Sequence, residues 1–236
     1  PSLQQIENGA SLIININASP YDQNKTDLRK ELVVNQAKKL GVPIIYLNMV
    51  GGQDELVFDG GSFVVNGKGE ILYQAQQFEE ELFYIDLDLE VKEQPKGSIL
   101  EIRQKGSELE TLKSALLLSK NESLHSALKL GLFDYVSKNN FEKVLVGLSG
   151  GIDSALTATI AVDALGSDNV IGVALPSKYN TEESLADAKL LAENLDIEFK
   201  VIEIEEIVNI FRTTLKESVN EELGQTTDEN IQSRVR

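Results

Sequence analysis

The feature that most restricts the fold is a glycine pair set between an apolar run and a helix. Residues 144–148, Val-Leu-Val-Gly-Leu, read as a buried strand, and Ser149-Gly-Gly-Ile-Asp-Ser154 follows directly. A helical pattern over 155–165 comes next, then a strand over 170–175, a helix over 182–195, a strand over 197–204 and a helix over 206–215. Strand and helix alternating in this way predict an α/β fold with a parallel sheet and helices on its faces. Ligands of such sheets bind at the carboxyl ends of the strands, which is where this loop falls.

Two glycines after a strand let the backbone approach a bulky ligand with its N–H groups turned inward. A helix starting at Asp153 or Ser154 adds the positive end of its dipole, so phosphate is the expected occupant. Ser149 and Ser154 offer hydroxyl donors, and Asp153 suits a Mg²⁺ ion that bridges phosphates. No lysine stands where a Walker A loop has one, and there is no G-x-G-x-x-G. The plainer reading is a tight turn with Asp153 or Ser154 as helix cap.

The hexapeptide resembles the S-G-G-x-D-S signature of the PP-loop ATP pyrophosphatase superfamily, which includes asparagine synthetase, GMP synthetase, tRNA-modifying adenylating enzymes and NAD⁺ synthetase. That resemblance implies ATP cleaved between its α and β phosphates. The nucleotide would be held by Gly147, Leu148, Ser149, Gly150, Gly151, Ile152, Asp153 and Ser154, with Asp153 on Mg²⁺. Two flanking stretches, Gly131-Leu-Phe-Asp-Tyr-Val-Ser-Lys-Asn-Asn-Phe141 before Val144 and Leu175-Pro-Ser-Lys-Tyr-Asn-Thr-Glu-Glu-Ser184, are similar to NAD⁺ synthetases. Glu229-Asn-Ile-Gln-Ser-Arg234 resembles that family's E-N-x-Q-x-R segment, which implies that Asn230 and Arg234 approach deamido-NAD⁺. Read bare, it is a solvated amphipathic helix.

The first half reads as strands over 12–16, 43–48, 62–65, 70–74 and 82–87, with one helix over 26–40 closed by Gly41. Asn66-Gly-Lys-Gly69 is a hairpin signal, because Asn-Gly supplies positive φ angles. Ile14-Asn-Ile-Asn-Ala-Ser-Pro-Tyr21, with Lys25 beyond, and the run from Val50 to Ser62 resemble the nitrilase-type glutaminase domain fused to many NAD⁺ synthetases. In that resemblance Ser19 and Lys25 hold glutamine. Read bare, Ser19-Pro-Tyr is a turn and Lys25 a surface cation. The family's catalytic Glu, Lys and Cys lie on the N-terminal side of the Ser19 region, so no catalytic residue is assignable within these residues.

Composition removes other possibilities. Thirty-eight acidic residues against 22 basic give a net charge of −16, which argues against nucleic acid or an anionic membrane as partner. With no cysteine there is no disulfide, zinc finger, iron–sulfur cluster or thiol nucleophile, and a single histidine, His125, cannot make a two-histidine metal site. His125 falls beside the helical stripe Leu124, Ala127, Leu128, Gly131, Leu132, Tyr135 and Val136, and reads as solvated. Asp86, Asp88 and Glu90 read as a solvated strand edge, Glu203, Glu205 and Glu206 as a strand-to-helix junction, and Lys178 as either a phosphate contact or a surface cation. No apolar run nears the roughly 18 residues of a membrane span.

The chain begins at Pro1 rather than Met and stops in a helix-like stretch, so an internal piece of a longer protein is expected. The expected architecture is the C-terminal part of a nitrilase-like αββα domain over 1–89, a linker over 90–118, and a parallel-sheet PP-loop domain of the adenine nucleotide alpha hydrolase-like type over 119–236, incomplete at both ends. The resemblance implies ATP-dependent amidation of deamido-NAD⁺ with ammonia from glutamine, in a cytoplasmic homo-oligomer. The alternatives are another PP-loop amidotransferase or tRNA-modifying enzyme, and a non-catalytic ATP-binding module.

Overall fold

Each half of the chain builds its own sheet. The structure, a computed structural model, describes residues 2–87, 89, 114–176, 182–219 and 224–235. Asp88, Glu90, Lys178 and the polar stretch 90–113 lie outside the described residues. The chain divides into two compact units, Pro1–Tyr135 and Val136–Arg236.

The first unit comprises α1 (Ser2–Glu7), β1 (Ile13–Asn17), α2 (Lys25–Leu40), β2 (Ile44–Asn48), β3 (Val50–Gln53), β4 (Leu56–Asp59), β5 (Phe63–Val65), β6 (Ile71–Gln74) and most of α3 (Lys120–Lys138). Its main sheet has the order β1-β2-β5-β6, parallel between β1 and β2 and antiparallel elsewhere, while β3 and β4 form a separate hairpin. Val33, Ala37 and Leu40 lie on one stripe of α2 and pack against Ile44, Tyr46, Phe63 and Val65. Val64 points to the other face, against Tyr73 and Ala75. All three residues of β5 are buried because both faces of the sheet are covered.

Three expectations change here. Residues 82–87 form no strand; Phe83, Ile85 and Leu87 alternate onto Val64 and Tyr73, so packing rather than ladder pairing satisfies the period of two. In the β5–β6 turn the left-handed residue is Gly69, not Asn66 or Gly67. Asn66 instead accepts the N–H groups of Lys68 and Glu70 on its side-chain oxygen. On α3 the buried positions include Ser123 and Ala127, whereas Leu124 and Leu128 are exposed. Gly131 and Asp134 lie close against Gly52 of the hairpin, an approach that large side chains would prevent. His125 is on the exposed face.

The second unit contains β7 (Val144–Gly147), α4 (Ile152–Leu165), β8 (Val170–Ala174), α5 (Glu182–Asn194), β9 (Glu198–Val201), α6 (Glu205–Val219) and α7 (Gln225–Val235). Its sheet is parallel throughout in the order β7-β8-β9, with helical crossovers, as the alternation predicts. β9 stops at Val201 rather than running to 204, because Ile204 leaves the ladder to pack with Val208 and Ile231 under α7. Glu205 and Glu206 open α6, as expected of a strand-to-helix junction.

Candidate functional sites

In the second unit the loop after β7 lies at the carboxyl end of the sheet. Gly150 has φ +80°, and a Cβ there would stand 2.4 Å from the Ser184 carbonyl oxygen at the start of α5. Glycine is therefore required twice over, by backbone conformation and by space. Gly151, in extended conformation, is the cap residue of α4, and among the described residues no side chain caps the helix. The helix thus starts at Ile152, and neither Asp153 nor Ser154 is the cap; Asp153 lies in the first turn, exposed. Uncapped first-turn N–H groups and the helix dipole face the loop mouth, the arrangement that binds anions.

The two serines mainly hold the loop. Ser154 Oγ donates to Gly151 O at 2.9 Å and accepts from Ser149 N at 3.2 Å. Ser149 Oγ accepts from Gly151 N at 3.3 Å and lies 3.1 Å from Ser154 Oγ. Both hydroxyls are thus engaged within the loop, and in the Ser149–Ser154 contact either oxygen can be the donor. Beside the loop is a cavity of about 200 Å³ lined by residues 147–149 and 173–176 with Ser184 and Leu185. Its walls are apolar, and a flat heteroaromatic group would suit it. Among the described residues no three His, Cys, Asp or Glu side chains gather as a metal site. A divalent cation would have to share Asp153 with phosphate oxygens, which is how Mg²⁺ is commonly held.

Asn230 and Arg234 lie four residues apart on α7 and line one groove of about 340 Å³ with Phe211 and Leu215 of α6. Arg212 pins α7 in place. Its Nε and Nη2 donate to Asp228, and its Nη1 donates to Glu205 at 2.9 Å and Asn209 at 2.7 Å. The Asp228 hydrogen bonds hold this guanidinium above its ordinary pKa. Gln232 is buried, and its Nε2 has no hydrogen-bond partner among the described residues, which leaves a donor to be matched.

In the first unit Ser19 begins the loop that leads to α2. Its N–H donates to Asn48 Oδ1 at 2.9 Å, and its carbonyl accepts from Asn48 Nδ2 at 3.3 Å and Arg29 Nη2 at 3.0 Å. Tyr21 continues the loop, with its N–H on Val57 O at 2.7 Å and its hydroxyl accepting from Ser123 at 2.9 Å. Lys25 opens α2 and is exposed. Ser19 and Lys25 therefore flank one loop, separately from the Gly150 and Asn230 groups of the second unit. Sequence reading missed Arg29, Asn48 and Asp59, which hold that loop. A lone Arg in a helix reads as solvated, and its partner lies 30 residues away.

The chain thus joins two classes of unit. Residues 6–96 match the carbon-nitrogen hydrolase family model, and residues 124–236 match the NAD synthase family model. It is 42% identical over 246 residues to the glutamine-dependent NAD(+) synthetase of Aquifex aeolicus, covering 97% of this chain and 43% of that protein. With the Synechocystis protein of the same name it shares 40% identity across 100% of this chain and 40% of that protein. The structure of the Acinetobacter baumannii glutamine-dependent NAD⁺ synthetase in complex with ADP superposes with a TM-score of 0.84 at 36% identity, covering 100% of this chain and 41% of that one. Nearly the whole chain is similar to glutamine-dependent NAD(+) synthetases, with the carbon-nitrogen hydrolase match in its first part and the NAD synthase match in its second. It spans about two fifths of the length of these relatives. The tRNA-modifying and non-catalytic alternatives are not favoured by these relatives.

Proposed function

We propose that this chain supplies the nucleotide loop and part of the glutamine site of an enzyme that converts deamido-NAD⁺ to NAD⁺. A carboxylate oxygen of deamido-NAD⁺ attacks the α-phosphorus of ATP, the bond to the β-phosphate bridge breaks, and pyrophosphate leaves. Ammonia then attacks the acyl carbon of the adenylate and AMP leaves. The observation that carries this reading is the loop at the end of β7, with Gly150 at φ +80° and the uncapped start of α4 behind it. Backbone N–H groups at that helix start would hold the pyrophosphate as charge moves onto it. The ADP complex of the A. baumannii relative supports an adenine nucleotide as occupant.

Asp153 would hold Mg²⁺, which when bound neutralises phosphate charge. Asn230 and Arg234 would approach deamido-NAD⁺ from α7, and Ser19 and Lys25 would hold glutamine. The domain limits that go with this reading are 1–89, 90–118 and 119–236. Among the described residues no helix is long and apolar enough to cross a membrane, and a cytoplasmic homo-oligomer is the proposed setting. In a protein of the relatives' full length, Asp153→Ala should lower NAD⁺ formation at least 100-fold, an estimate of about 3 kcal/mol of charge stabilisation, with ammonium and with glutamine alike. Unchanged ammonium-driven turnover would remove the metal role. Ser19→Ala and Lys25→Ala should weaken glutamine use alone, by roughly 10- to 150-fold.

A further inference from the structure

Asp59 ends β4 and is 1% exposed, yet it is charged. Its partner Arg29 sits in the second turn of α2 with its side chain 11% exposed. The guanidinium makes five hydrogen bonds. Nη1 donates to both Asp59 oxygens at 2.7 and 2.9 Å, Nη2 donates to Ser19 O at 3.0 Å and Pro20 O at 2.7 Å, and Nε donates to Ser19 Oγ at 3.2 Å. Asn48 completes the bracket by donating to Asp59 Oδ1 at 3.4 Å and Gly60 O at 3.2 Å while it holds Ser19 N and O.

A buried ion pair is weak evidence for stability, since an apolar pair of similar volume serves a core as well. Here three of the five hydrogen bonds go to the Ser19-Pro20 dipeptide. A hydroxyl has one proton and two lone pairs. With Arg29 Nε–H on one lone pair, the Ser19 proton is directed away from the guanidinium. We propose that Arg29 and Asp59 are positioning residues that hold Ser19 as an outward hydrogen-bond donor for glutamine, Asp59 fixing the guanidinium and the guanidinium fixing Ser19. This rests on the reading of Ser19 as a glutamine contact. Lysine cannot replace arginine, because one ammonium cannot reach acceptors on three groups in a planar fork.

The test uses a protein of the relatives' full length, with NAD⁺ formation driven by glutamine or by ammonium. Arg29→Lys and Asp59→Asn should each raise KM for glutamine about tenfold or more, the loss expected of a charged hydrogen bond. Ammonium-driven turnover should stay within about twofold, since the nucleotide loop is in the other unit. Arg29→Lys added to Ser19→Ala should cost less than about twofold beyond Ser19→Ala alone, because both act through one hydroxyl. A further tenfold loss in that double variant, equal loss with both donors, or a normal glutamine KM in Arg29→Lys would overturn the positioning role. If Ser19→Ala itself leaves the glutamine KM unchanged, the glutamine reading of Ser19 fails and the inference falls with it.

Discussion

At the scale of single residues, the two glycines of the loop after β7 differ in kind. Gly150 combines φ +80° with a Ser184 oxygen 2.4 Å from where a Cβ would stand. Gly151 has φ −92° and ψ 159°, open to any residue, and its nearest neighbour would be Ser149 Oγ at 3.3 Å. Gly150→Ala should therefore cost about 1–3 kcal/mol of stability and displace the loop, lowering ATP–Mg²⁺ affinity tenfold or more. Gly151→Ala should leave stability within about 0.5 kcal/mol. Denaturant melts and calorimetry on the two variants separate these outcomes, and equal effects would deny the distinction. The glycine pair was legible in the sequence as a turn between strand and helix, but which glycine is indispensable was not, because the obstacle belongs to a residue 34 positions on. Arg29 and Asp59 were illegible for the same reason. A charge in a sequence defaults to solvent, and only the fold brings these two together.

Among the elements, regular alternation was read correctly; β8 and α5 end within one residue of the reading, while β9 stops three residues short and α6 runs on to Val219. The β7–α4–β8–α5–β9 order follows from the sequence pattern, because each element must bury one face. The β3–β4 hairpin escaped a periodicity reading because Val50-Gly-Gly-Gln53 has little β propensity. The stripe on α3 was read only in part: Ala127 and Val136 are buried and Gly131 lies against the hairpin, whereas Leu124, Leu128 and Tyr135 are exposed. The start of α3 carries a reciprocal cap. Ser119 N donates to Glu122 Oε2 at 2.9 Å, and Glu122 N donates to Ser119 Oγ at 3.4 Å. The Ser119 hydrogen bonds hold the Glu122 carboxyl below its usual pKa. A carboxylate lowered in the folded state adds stability that is present above its unfolded pKa of about 4.3 and lost as pH falls through the folded value. Ser119→Ala should cost about 1 kcal/mol near neutral pH. Glu122→Gln should flatten the acid limb of stability in denaturant melts taken from about pH 7 to about pH 3. An unchanged acid limb would mean that other carboxylates set it.

For the whole molecule, two opposing properties decide how the 236-residue chain behaves by itself. Among the described residues β1 and β7 are sheet edges, each paired on one side only. Both carry apolar side chains toward solvent: Ile16 on β1 is 79% exposed and Leu145 on β7 is 71% exposed. Open edges with exposed apolar residues favour strand-to-strand association. A net charge of −16 opposes it, and that repulsion reaches about 30 Å at 0.01 M salt but only about 8 Å at 0.15 M. The chain should therefore be monomeric at low ionic strength and associate as NaCl is raised, as read by sedimentation velocity. Ile16→Lys combined with Leu145→Lys lowers the net negative charge, so charge alone would make that variant associate more readily. If the edges drive association, it should instead stay monomeric at salt concentrations where the parent does not. Dissociation on adding salt would mean that ionic contacts hold the copies together. An unaltered salt response in the double-lysine variant would place the contact elsewhere on the surface.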